Sequence, residues 1–259
     1  MAPGVNTGGM GVENDSRNPY APPGARLESA EPPAGPSGSL ADGVAGTYEF
    51  SIGEIMKEAW ALVPGFKGPF WGALLLIYLV FIVVGVVFAF MIGARGEPPS
   101  LWLQVANGLV GVIVSPVIAG LLVLGVRRAS GLPVSFTMAF GYIRKAPVLI
   151  GAALLVMLLT YLGIALLVLP GIYLAVAYGM TLPLLALNDL GIWPAMETSR
   201  RAITHHWFGF FGLYLVMGML VALSALLLLI PLIWTLPWAL LVLGVAYRRM
   251  FGVPADAAE

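Results

Sequence analysis

The chain has 259 residues, 59% of them hydrophobic and only 10% charged, with no net charge and no cysteine. An ordinary soluble domain carries about 25% charged residues, so this composition excludes a single soluble core and leaves apolar surface that must face lipid. The missing cysteine excludes disulfides, thiolate metal sites and cysteine nucleophiles.

Residues 1–46 read as a Pro/Gly-rich cytoplasmic tail. Runs such as NPYAPPGARLESAEPPAGPSGSLADG lack aliphatic periodicity, so nothing offsets the entropy of ordering and disorder is expected. The favoured reading of the tail is a solvated tether; the alternative is that NPYAPPGA, Asn18–Ala25, docks a protein partner as an extended or polyproline-type peptide. The first long apolar stretch lies deep in the chain, so no secretory signal is expected. Residues 47–252 read as the transmembrane domain and 253–259 as a short C-terminal tail.

The first element after the tail is amphipathic. SIGEIMKEAWALV places Ile52, Ile55, Met56, Ala59, Trp60 and Val63 on one helical face, with Glu54, Lys57 and Glu58 opposite. Apolar runs of about 20 residues follow, the length that spans about 30 Å of hydrocarbon. They are Pro69–Ala94, Leu101–Val126, Pro147–Leu169, Gly171–Leu187, Trp207–Ile230 and Leu232–Tyr247. The third and fourth meet at Leu169–Gly171 and the fifth and sixth at Ile230–Leu232, joints short enough for tight helical hairpins. Two further amphipathic segments, SFTMAFGYIRK and WPAMETSRRAITHHW, precede the second and third hairpins. Helices of this type lie in the headgroup plane. The expected fold is therefore all-α and integral to a membrane: six transmembrane helices in three hairpins, each preceded by a short interfacial helix.

The basic residues are segregated. Lys57, Lys67, Arg127, Arg128, Arg144, Lys145, Arg200, Arg201, Arg248 and Arg249 fall at one set of ends, and Arg95 alone at the other. The positive-inside rule then puts both termini in the cytoplasm and the hairpin tips outside, in a bacterial inner membrane. Together with Trp60, Trp193 and Trp207, the residues Lys67, Arg127, Arg128, Arg144, Lys145, Arg200, Arg201, Arg248 and Arg249 form the expected lipid interface, against anionic lipid on the cytoplasmic side. No nucleic-acid partner is expected.

The second helix of each hairpin carries a proline, at Pro116, Pro183 and Pro237, and the segments SPVIAGLLVLGVRR and LPWALLVLGVAYRR read as copies of one repeat. These prolines are expected near mid-membrane, kinking their helices, with Ser115, Thr181 and Thr235 helping to satisfy the freed carbonyls. Small residues recur every four positions at Asn107–Gly111–Ser115–Ala119, at Gly171–Ala175–Gly179 and at Gly218–Ala222; close helix packing in lipid is the favoured reading, and a small-residue-lined cavity for a lipid tail or solute is the alternative.

The stretch AMETSRRAITHHWFGFF, Ala195–Phe211, raises the one chemical alternative. Glu197, His205 and His206 are the only residues that read as a catalytic or metal cluster. Adjacent histidines point about 100° apart on a helix, however, and no third histidine exists to complete a site. The favoured reading is a basic, aromatic-anchored foot at the membrane surface, with no cofactor and no metal, to which the histidines contribute little.

Three stretches, FSIGEIMKEAWALV, VLPGIYLAVAYGMTLPLLAL and AMETSRRAITHHWFGFFGLYL, resemble a broad, largely uncharacterised family of bacterial multi-pass inner-membrane proteins. That family is similar to the membrane domain fused to some glycerophosphodiester phosphodiesterases. Pro170, Gly171, Ile172, Tyr173 and Leu174 match one of its motifs, and Ala195, Met196, Ser199 and Thr204 another. Ile203 and His206 stand where the second motif has leucine and glycine, which makes the histidines variable positions. The resemblance implies a fold, a membrane location and an association with lipid or envelope upkeep. It implies no phosphodiesterase activity, because the catalytic barrel is absent.

The function that follows is non-enzymatic: a membrane protein acting through lipid contact or as a scaffold for partners. The alternative is a transporter or channel for an uncharged or amphiphilic solute, argued from the kinked second helices. The spans carry no ionisable residue beyond their ends, which argues against ion coupling.

Overall fold

The computed structural model describes residues 37–92, 110–227 and 229–254. Among them there is no strand; every regular element is a helix. The tail segment Asn18–Ala25, Arg95 and the loop around it, Gln104 and Asn107 lie outside the described residues.

Residues 37–46, read from the sequence as part of the tail, hold a helix. Ser37–Gly46 is not a solvated tether but carries α1, Leu40–Ala45, whose first turn is closed by Ser39 Oγ accepting from the Asp42 amide at 3.2 Å. Gly46 ends it in the left-handed region, at φ 74°. The Gly38 amide donates to the Arg248 carbonyl at 3.0 Å, strapping this segment to the far end of the chain.

The amphipathic helix α2, Ile52–Leu62, runs into α3, Lys67–Ile92, through a bend of 86° at Val63–Phe66. Residues 110–113 are helical, Val114 breaks the helix, and α4 covers Ser115–Ala129. A 3-10 helix, Phe136–Lys145, leads directly into α5, Ala146–Leu166. Then come α6 (Val168–Ala177), α7 (Thr181–Leu187), α8 (Ile192–His205), α9 (Trp207–Leu226) and α10 (Leu232–Phe251).

Three stretches are long and apolar enough to cross a membrane: Phe136–Leu166, Val168–Leu187 and Trp207–Leu226. The bent pair α2–α3 is a fourth if it counts as one broken span. Of the six expected spans, the first two run partly outside the described residues. The sixth is of a different kind, because α10 is buried on nearly every side from Pro237 onward.

That burial reveals how the molecule is organised. A dense core joins α2, α4, the 3-10 helix, α7, α8 and the C-terminal part of α10, around fully buried Tyr247, Phe66, Phe210, Ile55 and Leu124. Most of the exposed large apolar side chains lie elsewhere, on α3, residues 110–118, α5, α6, α9 and the first turn of α10. Leu169 is 79% exposed and Leu226 81%, values that water would not tolerate over so wide a surface and lipid would.

Inside the core α4 and α10 lie side by side and run the same way. A Cβ on Gly244 would sit 2.3 Å from the Gly125 carbonyl carbon, so the two backbones touch. One turn further on, Arg248 donates to the Ala129 carbonyl. These are two of the segments read from the sequence as copies of one repeat, and they meet through the glycine of their common Leu-Val-Leu-Gly-Val.

The prolines behave differently from expectation. Pro116 and Pro183 fall in the first turns of α4 and α7, where a missing amide costs nothing. Only Pro237 is inside a helix. The carbonyl it frees, that of Ile233, accepts from Trp71 Nε1 on α3 at 3.2 Å. None of the three expected hydroxyls does this work: Thr235 donates to the Pro231 carbonyl, and the Ser115 and Thr181 hydroxyls have no partner.

Candidate functional site

The expected lipid interface divides in two. Several of its cations turn inward and close the C-terminal ends of neighbouring helices. Arg128 donates from Nη2 to the Pro64 carbonyl at 2.6 Å and from Nε to Leu62 at 3.3 Å, finishing α2. Lys145 Nζ reaches the Leu185 and Ala186 carbonyls at 3.3 and 3.2 Å, finishing α7. Arg248 finishes α4 at Ala129, and Arg127 donates to the Pro133 carbonyl at 3.3 Å. The reason is general: the last carbonyls of a helix lack partners and carry the negative end of its dipole, so a cation nearby satisfies both.

Arg248 and Arg249 go furthest from expectation, at 3% and 7% exposed. Glu58 holds both, with Oε1 accepting from Arg248 at 2.5 Å and Oε2 from Arg249 at 2.9 Å, while Glu54 takes Arg249 at 3.1 Å. These pairs lock α2 onto α10. The apolar face of α2 therefore buries Ile55 and Ala59 against protein, not against headgroups, and leaves Trp60 55% exposed. The same holds for α8, whose Ala195, Met196, Ala202 and Ile203 are buried while Trp193 stands out. In the 3-10 helix Ala139 is buried, and Phe136 and Ile143 are exposed.

Lys67 is displaced too. It lies 5.0 Å from the Trp234 ring centroid, at the start of α10, with Trp71 bonded to Ile233 beside it. Fourteen residues of helix, about 21 Å, separate Trp234 from Arg248. Lys67 thus does not share a level with the buried arginines. Of the expected interface residues, Trp60, Arg144, Trp193 and Arg201 remain exposed, and Phe208, which the sequence reading did not single out, joins them at 84%.

On α8 the carboxylate of Glu197 accepts from Arg200 at 2.8 Å through both oxygens and from Arg201 at 2.6 Å. These bonds, Arg200's first, hold its carboxyl well below the usual range, down to about 2. The Tyr173 hydroxyl lies 3.3 Å from Arg200 and 2.8 Å from Thr204 Oγ1, and Trp207 Nε1 donates to the Tyr173 carbonyl at 3.3 Å. Glu197 is therefore an ion-paired staple, poorly disposed to act as a base at neutral pH.

The histidines are used for packing. His205 Nε2 meets the Val44 carbonyl at 3.1 Å, and the His206 ring stacks on Phe50 at 5.8 Å with its edge to Tyr48 at 5.1 Å. The Tyr48 hydroxyl, buried and pushed up from its ordinary pKa by that burial, donates to the Ala202 carbonyl at 2.8 Å. Together they dock residues 44–50 on α8, a role the sequence signalled only as aromatic residues at Tyr48 and Phe50. Among the described residues no group of three His, Cys, Asp or Glu side chains is placed to hold a metal ion.

Gly111, Ala175 and Gly179, whose spacing the sequence favoured as helix packing with a cavity as the alternative, line a hollow of about 420 Å³ beside the exposed apolar surface. Gly111 and Val112, Met157 and Tyr161 of α5, and Tyr178 and Thr181 are among its walls. Among the described residues its lining contains no charged side chain. No model of a protein family, no curated protein and no solved structure matches this chain. Function has to be read from this geometry.

Proposed function

We propose that this is a non-enzymatic, multi-pass protein of the bacterial cytoplasmic membrane, with both termini cytoplasmic, that works through contact with lipid and as a scaffold for envelope partners. The observation that supports it is the division of the surface. Large apolar side chains stand exposed on α3, α5, α6 and α9, while the cations and carboxylates are consumed in helix caps and ion pairs at the other part of the molecule. Such a layout suits a body embedded by its hairpins and braced by a polar core, not a reacting centre. Arg144 and Arg201, exposed like Trp193 and Phe208, are the contacts for anionic headgroups in this reading.

The test is reconstitution in vesicles with and without anionic lipid. The expected result is that anionic lipid raises the thermal midpoint of the wild-type protein and that Arg144→Glu with Arg201→Glu abolishes this gain. Flux of neutral solutes through the same vesicles is expected at the level of protein-free controls. Flux that depends on the protein would replace the scaffold reading with a channel.

A further inference from the structure

We propose that the hollow between residues 111–112, α5 and the α6–α7 turn binds a single acyl chain with an uncharged, hydrogen-bonding head, such as a monoacylglycerol. The proposal rests on the membrane reading above and gives it a ligand class. Size is the first support: about 420 Å³ is within the range of small-ligand sites, roughly 300–1,000 Å³.

The lining supplies the chemistry. Val112, Val156, Met157 and Leu182 are aliphatic, and the polar groups are the hydroxyls of Tyr161, Tyr178 and Thr181. With no cation there, a phosphate head has nothing to bind, and with so few polar groups a fully hydrated solute would lose most of its water. The mouth fits the same ligand. Tyr161, 62% exposed, and exposed Gly111 and Ala175 bound it, so it opens on the apolar surface between two of the apolar stretches.

Thr181 is the decisive residue. It is 1% exposed and its Oγ1 has no hydrogen-bond partner. A helical threonine ordinarily bonds back to the carbonyl four residues earlier. Here that carbonyl, of Ala177, accepts from Ser199 Oγ at 2.8 Å. The Thr181 hydroxyl is thus without its usual helical bond in a residue that lines the slot, and a small turn of its side chain is what a guest's head would draw on. Gly111 offers the complementary control, since a Cβ placed there meets no atom within 4 Å.

The experiment uses the full chain in phosphatidylcholine nanodiscs, with a monoacylglycerol carrying a diazirine in its acyl chain as probe. Cross-links are expected on peptides containing Val156–Tyr161 and Ala175–Leu182. Gly111→Leu, which fills open space, is expected to cut that labelling about tenfold while the thermal midpoint holds or rises. Thr181→Val should cut it several-fold and Thr181→Ser restore it, and a phosphatidylcholine bearing the same diazirine should label without responding to any of these variants. Labelling spread evenly over α3, α5 and α9 and unchanged by Gly111→Leu would overturn the site. Protein that fails to enter nanodiscs and is released from membranes by alkali would sink the membrane reading instead, so the two failures are distinguishable.

Discussion

Glu58 is the carboxylate that two buried guanidiniums share, Arg249 alone also keeping Glu54. Removing one partner of a buried pair leaves the other charged and unpaired, which costs about 3–5 kcal/mol, whereas exposed charges contribute little. Glu58→Gln is therefore expected to lower stability by about 3 kcal/mol, measured by chemical or thermal unfolding in detergent, while Lys57→Ala on the exposed face changes it by less than about 0.5 kcal/mol. Equal effects would mean that Arg248 and Arg249 find other partners. Glu197 makes a prediction in pH. Its carboxyl is held at about 2 in the fold against an ordinary 4.5, so its contribution is present above about 4.5 and is lost as pH falls toward 2. The gap in thermal midpoint between wild type and Glu197→Gln should be widest near neutrality and close across that window. A gap that stays constant to low pH would show that the pairing with Arg200 and Arg201 is not what separates the two proteins.

At the scale of elements, α4 and α10 meet backbone on backbone, Gly125 against Gly244. The methyl of Gly244→Ala has nowhere to go, because the atoms it meets belong to the main chain of α4 and not to a side chain that can turn away. Overpacking of this kind costs about 1–3 kcal/mol, and the rigid neighbour places it at the upper end. Gly218→Ala, where a Cβ meets nothing within 4 Å, is the matched control and should be silent in the same unfolding assay. The strap Ser37–Phe50 is the second element-level device. His206→Ala removes a ring packed between Tyr48 and Phe50 and is expected to cost about 1–2 kcal/mol, with His206→Phe recovering most of it. A truncation ending at residue 36 leaves these contacts in place, whereas one ending at Gly46 removes α1 and its bond to Arg248. Limited proteolysis of the two truncations should therefore differ, and identical digestion patterns would show that α1 adds nothing to the fold.

How much of this was legible in the sequence differs by scale, and the reason is physical. Composition and run length report on solvent, so the apolar stretches at Pro147–Leu169, Gly171–Leu187 and Trp207–Ile230 were readable and recur in Phe136–Leu166, Val168–Leu187 and Trp207–Leu226. Amphipathic patterns report that a face is covered but not by what; α2 and α8 cover theirs with protein. Charge position says still less about partners, since Arg128, Lys145 and Arg248 look alike in sequence whether they meet phosphate or the carbonyls of a distant helix. The hollow at Thr181 was legible only as the small residues Gly111, Ala175 and Gly179, because a missing hydrogen bond is a property of three-dimensional neighbours. The contact of Lys67 and Trp71 with Trp234 and Ile233 bears directly on the number of crossings. In six full spans, Lys67 belongs at the cytoplasmic end and Trp234 at the opposite one, yet they touch. Cysteine labelling from each side of the membrane decides the matter, helped by the lack of native cysteine. Cysteines at Glu97, Leu169 and Leu229 are all expected to label from outside, with Trp71 reaching Ile233 because α3 begins above the buried arginines. If Leu229→Cys labels only from the cytoplasm while Glu97→Cys labels from outside, α9 and α10 form a re-entrant hairpin that dips into the bilayer and returns. The six-span reading then fails, and α10 becomes the axis of a cytoplasmic core from which the remaining hairpins enter lipid.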